Sequence, residues 1–147
     1  MGDNFALDRF VRAQAGVYPT ALAELQAGAK RSHWMWFVFP QIRGLGTSKN
    51  ARFFAISGAT EAHAYGMHQL LGARLRQATA AMLDWVGRRE ALEILGPIDG
   101  LKFHSSMTLF EATGAADDAA LFAKALDGFF HGRRDTATLT LLETGAA

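Results

Sequence analysis

The sequence contains no cysteine, and this absence excludes several classes of chemistry. Disulfides, thiolate nucleophiles and cysteine-ligated zinc or iron–sulfur centres are all ruled out. Long apolar runs are also lacking, because no window approaches the ~20 apolar residues that a membrane-spanning helix needs. Residues 1–12 mix charged and apolar side chains and lack the continuous apolar segment of a signal peptide. We therefore expect a cytoplasmic protein with no membrane partner.

Neither sign of charge is in clear excess. The 147 residues include 15 basic and 14 acidic side chains, which gives a formal net charge of +1. A chain so close to neutral lacks the broad basic surface that attracts nucleic acid, so we expect no nucleic-acid partner. One stretch is nevertheless basic and free of acids, and its charged residues are Lys30, Arg31, Arg43, Lys49 and Arg52. Two interpretations stay open for it, a solvated loop face and a local anion site.

The composition indicates a globular, helical protein. Half of the residues are hydrophobic and 11% are aromatic, and a chain of this length normally forms one domain with a substantial core. Apolar residues recur mostly at helical spacing, and no segment alternates cleanly enough for a sheet. We predict a single domain over residues 1–147, with an all-α fold that is an irregular orthogonal array of seven to nine short helices.

Capping and stop signals predict where the helices begin and end. In the first half these are a helix over 5–15 capped by Asp3 or Asn4, a second from Pro19 to Gly28, a segment over 33–39 capped by Ser32 and ended by Pro40, and a helix over 49–56. In the second half they are a helix capped by Thr60, one over 70–86 that Gly72 could divide, one over 89–95, one capped by Asp99, one over 119–130, and a last one from Asp135 to Gly145. The segment over 33–39 stays ambiguous, because a continuous aromatic run fits a buried strand as well as a buried helix.

Several motifs in this sequence resemble a known family. They are K-R-S-H-W-M-W-F-V-F-P-Q at 30–41, G-L-G at 44–46, A-x-x-x-A-I at 51–56, L-G-x-R-L at 71–75, K-x-x-S-S-M-T-L-F at 102–110, and a closing pattern of Asp127, Phe130, Gly132, Asp135, Thr138 and Leu139. Together they resemble the bacterial and fungal proteins grouped as domain of unknown function family 1810, some of which are labelled calpastatin. The resemblance spans nearly the whole chain and implies an all-α fold, but it implies no activity. The chain contains no calpain-inhibitor repeat.

The chain departs from the pattern of that family at two places. His104 stands where relatives often carry arginine, and Met67-His68-Gln69 stands where His-Pro is common. If those positions bind an anion or set a turn, this chain differs from its relatives in detail.

The tryptophan motif supplies the first candidate site. Trp34 and Trp36 lie two residues apart, and each indole N–H needs an acceptor if it is buried. One interpretation is an aromatic anchor of the core. The other is an aromatic wall on which a planar ligand such as a nucleobase stacks, with His33 beside it as an acid, a base or a hydrogen-bond donor.

A second candidate lies on the predicted helix that follows Asp99. Lys102, Ser105 and Ser106 have i, i+3 and i+4 spacing, and a desolvated lysine can activate a serine hydroxyl one turn away. The order is the reverse of the S-x-x-K pattern of Ser–Lys enzymes, and no oxyanion-hole motif accompanies it. The hydroxyls of these serines and of Thr108 could instead serve helix packing or recognise a polar ligand.

The glycine-rich loop at 44–49 is the third candidate. It has the residue types of an anion-binding nest that opens a helix, and Arg52 on that helix would add a bidentate partner for phosphate or carboxylate. It follows no clear strand, so neither a dinucleotide fingerprint nor a P-loop is supported, and a plain turn remains the alternative. The histidines and carboxylates have no metal-site spacing, so we expect no metal and no cofactor.

These candidates lead to two hypotheses of function. The first is a pocket near residues 32–41 that binds a small anionic or nucleotide-like ligand. Its predicted binding residues are Trp34, Trp36, Gln41, Arg52, Ser106 and Thr108, and its catalytic candidates are His33, Lys102 and Ser105. The alternative is a non-enzymatic protein–protein interaction module, whose partner patch would use exposed rings among Phe53, Phe54, Phe129 and Phe130. Whether the protein is an enzyme, and whether it is a monomer or a homodimer, is left open by the sequence.

Overall fold

The computed structural model describes residues 5–144 as a set of ten α-helices. They are α1 (Asp8–Gln14), α2 (Tyr18–Gln26), α3 (Met35–Val38), α4 (Lys49–Phe53), α5 (Ala59–Met67), α6 (Gln69–Leu83), α7 (Ala91–Leu95), α8 (Pro97–Thr113), α9 (Ala116–Phe130) and α10 (Thr136–Thr144). Within this range no strand forms, and only an isolated parallel bridge joins Ile42 to Ile56. The predicted all-α fold is confirmed. The ten helices in this range slightly exceed the expected seven to nine.

Helix α8 runs through the middle of the hydrophobic core. Its Phe103, Met107 and Phe110 are almost completely buried. The ring of Phe103 meets Phe39 edge-on with centroids 4.9 Å apart, and the ring of Phe110 lies 5.3 Å from that of Tyr65. Such tilted and edge-on pairs are the arrangements that aromatic rings favour. The aromatic segment after α2 is thereby fixed against α8.

The aromatic run itself forms only one turn of helix. Helix α3 begins after Trp34 rather than after Ser32, and it ends at Val38, before Phe39 and Pro40. The segment over 33–39, for which strand and helix were both left open, is therefore helical only over Met35–Val38. Ser32 does not cap it, because the Ser32 hydroxyl donates to Oε2 of Glu24 at 2.6 Å. The run lacks periodicity because most of its residues are buried, whichever way they point.

Glu24 on α2 holds the start of this aromatic segment. Besides the Ser32 hydroxyl, its carboxylate accepts the backbone N–H groups of Arg31 at 2.8 Å and Ser32 at 3.0 Å, and the indole N–H of Trp34 at 2.9 Å. Burial acts to raise the pKa of Glu24, but these hydrogen bonds outweigh it and lower the pKa to about 2. The carboxylate therefore stays ionised and binds four donors at once.

Arg9 performs a similar role for the N-terminal helix. Its guanidinium donates to the carbonyls of Phe5, Ala6, Phe53 and Ala55 and forms a 2.9 Å ion pair with the buried carboxylate of Glu61. Oε1 of Glu61 also accepts the backbone N–H of Ser57 at 2.8 Å. Such a fully bonded buried pair connects α1, the segment after α4, and α5.

Several predicted helix ends differ from the structure. Helix α5 begins at Ala59 with Gly58 as its N-cap rather than Thr60, and α8 begins at Pro97 after Gly96, which places Asp99 within the first turn. Asp135 does cap α10, since its carboxylate accepts the backbone N–H of Thr138 at 3.2 Å. The predicted cap at Asp3 or Asn4 and the predicted end at Gly145 lie outside the described residues.

Gly72 does not divide α6. It lies inside the continuous helix, and a Cβ at this position would come within 2.1 Å of the Gly66 carbonyl oxygen on α5. The division lies instead at His68, whose Nδ1 accepts the N–H groups of Leu70 and Leu71 and so caps α6. The glycine permits a close approach of two backbones, and the histidine sets the turn between them.

His104, the other departure from the family pattern, contacts the end of α9 and the loop that follows it. Its ring stacks on Phe130 with centroids 4.2 Å apart, and its Nε2 lies 2.7 Å from the carbonyl oxygen of Arg133. The residue thus joins α8 to the loop that follows α9.

Substitution of Glu24 by glutamine tests the anchor of the aromatic segment. We expect E24Q to lower the free energy of unfolding at pH 7 by about 2 kcal/mol, because hydrogen bonds to a charged acceptor are lost or weakened. The folded-state pKa of about 2 lies below the ordinary value of 4.5, so the ionised form stabilises the fold above about pH 4.5 and this stabilisation is lost as the pH falls toward 2. Urea unfolding of both proteins across this range should show the difference shrinking with acid. A constant difference would contradict the assignment.

Substitution of Gly72 by alanine tests the close approach of α5 and α6. Alanine normally favours a helix over glycine by about 1 kcal/mol, but here the added methyl group meets the Gly66 backbone, so we expect G72A to destabilise the protein by about 1–3 kcal/mol. The matched control is G66A, because a Cβ at Gly66 meets nothing within 4 Å. Thermal unfolding should move in opposite directions for the two variants, and an equal rise in Tm for both would show that the contact is unimportant.

Candidate functional site

The two tryptophans of the aromatic segment have different environments. Trp34 is fully buried, and its indole N–H is bonded to Glu24, so this residue is a core anchor. Trp36 is only half-buried and packs against the edge of the core. Of the two rings, Trp36 is therefore the one that a ligand could reach.

Each indole ring is paired with a lysine ammonium. Nζ of Lys30 lies 5.1 Å from the ring centroid of Trp34, and Nζ of Lys102 lies 5.1 Å from that of Trp36. Both lysines contact one carboxylate, that of Asp99 in the first turn of α8. The result is a cluster of two cation–π pairs joined by a shared acid, which we call the lysine–tryptophan cluster: Lys30, Trp34, Trp36, Asp99 and Lys102.

The two ammonium groups differ in how fully they are bonded. Nζ of Lys30 is 2.9 Å from Asp99 and 2.6 Å from the carbonyl oxygen of Ser32, and its side chain is only 8% exposed. Nζ of Lys102 is 3.5 Å from Asp99, longer than a normal charge-assisted hydrogen bond, and its side chain is 24% exposed. Lys102 therefore keeps donors that can bind an anion, whereas those of Lys30 are largely used.

The three α8 hydroxyls that were predicted as site groups differ in their hydrogen bonding. Ser105 donates to Asp135 at 3.0 Å, and Thr108 donates to the carbonyl oxygen of His104 and accepts the backbone N–H of Asp135. These two residues connect α8 to the start of α10. The hydroxyl of Ser106 is completely buried and has no hydrogen-bond partner among the described residues.

Ser106 lies on the same side of α8 as Lys102, one turn further along. Ser105 lies on the side that faces α10, and its described hydrogen bonds do not include Lys102. Both serines lie within about one turn of Lys102 on α8, and among the described residues no hydrogen bond joins the Lys102 ammonium to either hydroxyl.

The remaining predicted residues lie away from these contacts. His33 is exposed, and Arg52 is exposed on α4, where its guanidinium makes no hydrogen bond or ion pair with a described residue. Gln41 is half-buried, and its backbone carbonyl accepts the N–H of Ile56 at 2.9 Å. The structure thus brings together Trp36 and Lys102, with Ser106 one helical turn from Lys102, and shows no contact that joins His33 or Arg52 to them.

The glycine-rich loop forms the turn before α4. The hydroxyl of Ser48 caps α4 by accepting the backbone N–H of Ala51 at 3.1 Å, and Gly44 packs near the side chain of Leu141. A Cβ at Gly46 would lie 2.6 Å from that of Ala51, which accounts for the second glycine by packing.

The phenylalanines of the alternative hypothesis are unequally exposed. Phe53 is 57% exposed and lines an open groove of about 560 Å³ together with Phe54 and Arg9. Phe129 is buried, with 8% exposure, so its expected place in an exposed patch is wrong. The ring of Phe130 is half-buried and stacks on His104.

Two residues of the lysine–tryptophan cluster were not predicted as site residues. Asp99 was read only as a helix cap, although its i, i+3 spacing from Lys102 could have indicated an ion pair on one helix face. Lys30 lies 69 positions before Asp99 in the chain, and no local pattern predicts that contact. In residues 5–144 no three histidine or carboxylate side chains are grouped as metal ligands, and none of the helices there has the length and hydropathy to cross a membrane.

Comparisons with known proteins agree with this fold. The crystal structure of the conserved hypothetical protein Rv1873 from Mycobacterium tuberculosis is similar to this chain, with 48% sequence identity, a TM-score of 0.91, and coverage of 97% of this chain and 99% of that one. No curated protein matches the sequence. The family model described as protein of unknown function (DUF1810) matches residues 4–142. The chain therefore belongs to this DUF1810 family.

Proposed function

We propose that the protein binds a small anionic, nucleotide-like ligand at the Trp36–Lys102 pair. The observation that supports this proposal is the position of the Lys102 ammonium, 5.1 Å from the centre of the half-buried Trp36 ring and incompletely bonded to Asp99. A planar ring beside a cation with free donors matches a ligand that has both an aromatic base and a phosphate or carboxylate group.

Ligand binding would replace the contact between the Lys102 ammonium and the Trp36 ring with two stronger contacts. The anion would bind the ammonium, and the base would stack on the ring. An exposed cation–π contact contributes about 0.5–1 kcal/mol, whereas a base stacked on an aromatic side chain contributes about 1–3 kcal/mol. An anion that draws the Lys102 ammonium aside therefore uncovers the Trp36 ring for the base. The flexible four-carbon stem of lysine allows this movement without a change in the backbone.

The buried hydroxyl of Ser106 adds a second argument for this place. On the same helix, the hydroxyls of Ser105 and Thr108 both donate to carbonyl oxygens one turn back, at 3.3 and 2.9 Å. Ser106 makes no such bond, although an unpaired buried hydroxyl is unfavourable. In this proposal, movement of the Lys102 side chain opens a path to the hydroxyl, and a polar group of the ligand pairs with it.

The other predicted residues would have secondary roles in this binding mode. Trp34 would hold the segment in place from the core. Gln41, Arg52 and His33 would take part only if the ligand is large enough to reach them. Thr108 and Ser105 would stabilise α8 through Asp135. No reaction is assigned. The charged groups of the lysine–tryptophan cluster form ion pairs with one another, and the cluster contains no nucleophile in contact with a base.

Titration with adenosine monophosphate, adenosine and inorganic phosphate tests the binding site. We expect adenosine monophosphate to quench tryptophan fluorescence and to raise Tm, because it has both a stacking base and an anion. K102Q should weaken its binding about tenfold, the effect of losing one charge-assisted hydrogen bond. Adenosine alone should bind more weakly and should be insensitive to K102Q.

The matched control is K124Q, which removes one exposed lysine charge from α9. The proposal fails if the native protein responds to none of the three compounds at millimolar concentration. It also fails if K124Q weakens binding as much as K102Q does.

Substitution of Ser106 by alanine separates a binding role from a packing role. Because the hydroxyl is buried and unpaired, we expect S106A to keep or raise the free energy of unfolding, by up to about 1 kcal/mol. The same variant should bind adenosine monophosphate more weakly. Equal binding by S106A and the native protein would remove Ser106 from the site, and a large loss of stability would show that the hydroxyl is already paired.

The interaction module remains the second candidate function. It is supported by the exposure of Phe53 beside the groove at α1. Fewer exposed rings support this function than the sequence predicted, because Phe129 is buried and the ring of Phe130 is stacked on that of His104.

A further inference from the structure

Two adjacent arginines, Arg88 and Arg89, lie in the loop between α6 and α7, and neither belongs to the proposed nucleotide site. This loop and the end of α9 enclose a groove of about 250 Å³. The lining residues are Gly87, Arg88, Arg89, Glu90, Glu93, Gly128 and Phe129. Ligand pockets for larger molecules usually measure about 300–1,000 Å³, so this groove suits a small molecule.

Arg89 lines this groove and has one donor that the fold does not use. Its Nη2 donates to the carbonyl oxygen of Glu93 at 3.2 Å, but its Nε is buried and has no hydrogen-bond partner among the described residues. Buried donors of a charged group are rarely left unpaired in proteins. An acceptor from outside the chain would complete the hydrogen bonding of this guanidinium.

Arg88 supplies a second cation at the same place. Its guanidinium lies 4.6 Å from the ring centroid of Trp85, and it makes no hydrogen bond or ion pair with a described residue. Stacking on the indole orients the planar group while its N–H donors remain at the exposed edge. Two arginines are therefore available to one groove.

The two carboxylates in the groove are engaged elsewhere. Oε1 of Glu93 accepts the backbone N–H of Glu90 at 2.8 Å, and the Glu90 side chain accepts the backbone N–H of Glu93, which together form a capping box at the start of α7. No ion pair forms between either carboxylate and Arg88 or Arg89. The acids cap the helix, while Nε of Arg89 and the guanidinium of Arg88 have no hydrogen-bond or ion-pair partner among the described residues.

We infer that this groove is a binding site for a small oxyanion, a carboxylate or phosphate group carried by a small molecule. The guanidinium of Arg89 would bind one oxygen through Nε, after a small rotation that exposes this atom, and Arg88 would close over the anion from the indole of Trp85. Bonds of this kind from arginine to oxyanions are among the strongest that neutral-pH side chains form.

Amide chemical shifts measured during titration with sodium phosphate and with sodium acetate test this inference. Ionic strength is held constant with chloride, because exposed charge pairs are screened by salt. We expect the amide signals of Gly87 and Gly128 to move with at least one anion. A response to phosphate alone, to acetate alone or to both supports the site and identifies the preferred group.

Two variants and two controls make the result specific. R89Q should weaken binding about tenfold. R88Q, which removes no described hydrogen bond of the fold, should weaken it severalfold and keeps the test valid if R89Q is unstable. R43Q removes an exposed arginine elsewhere, and K102Q removes the cation of the proposed nucleotide site; neither should change the shifts at Gly87.

The inference is overturned if neither anion moves the Gly87 and Gly128 signals, or if R88Q and R43Q behave alike. A loss of the Gly87 response in K102Q would also overturn it. Because the two sites use different cations, either one can fail while the other holds.

Discussion

The buried indole of Trp34 needs a hydrogen-bond acceptor, and the carboxylate of Glu24 on α2 supplies it. The same carboxylate binds the backbone of Arg31 and Ser32, so a single side chain sets the path of the chain into the aromatic segment. That path is what places Phe39 against α8 and brings Trp36 beneath Lys102. An unpaired donor in the core would destabilise the fold, and the position of the candidate site follows from satisfying it.

Local signals predicted helices well where one residue controlled the outcome. Pro19 stands in the first turn of α2 and Asp135 caps α10, as expected from their chemistry. The failures occurred where two signals competed. Gly96 and Pro97 begin α8 before Asp99 can cap it, and the hydroxyl of Ser32 is taken by Glu24 instead of a helix N-terminus. Which partner wins depends on distant parts of the chain.

The role of Gly72 was also mispredicted. A glycine within a helical pattern indicates a helix break when only its sequence neighbours are considered, and Gly72 was predicted to be one. The tertiary reason is the Gly66 carbonyl oxygen, which occupies the space a Cβ would need. No pattern within α6 contains that information.

The residue types of the candidate site could be predicted from the sequence, but the contacts between those residues could not. The tryptophans, Lys102 and the α8 hydroxyls all stood out as residues capable of recognition. Ser105 and Ser106 are adjacent in sequence, yet the first is bonded to Asp135 and the second has no partner within residues 5–144. Neighbours on a helix point about 100° apart, so the location of α10 decides between them. Likewise the contact of Lys102 with Trp36 arises only when α8 packs against the aromatic segment.

The carboxylate of Asp99 lies between two ammonium groups, and this makes the two indole contacts interdependent. If a ligand draws Lys102 away, Asp99 keeps Lys30 as its remaining cation, in the pair that rests on Trp34. Ligand binding at Trp36 would then alter the environment of the buried Trp34 ring. By thermodynamic linkage, a change at Trp34 would in turn alter the affinity for the ligand at Trp36. The carboxylate of Asp99 is the contact that links the half-buried Trp36–Lys102 pair to the buried Trp34–Lys30 pair.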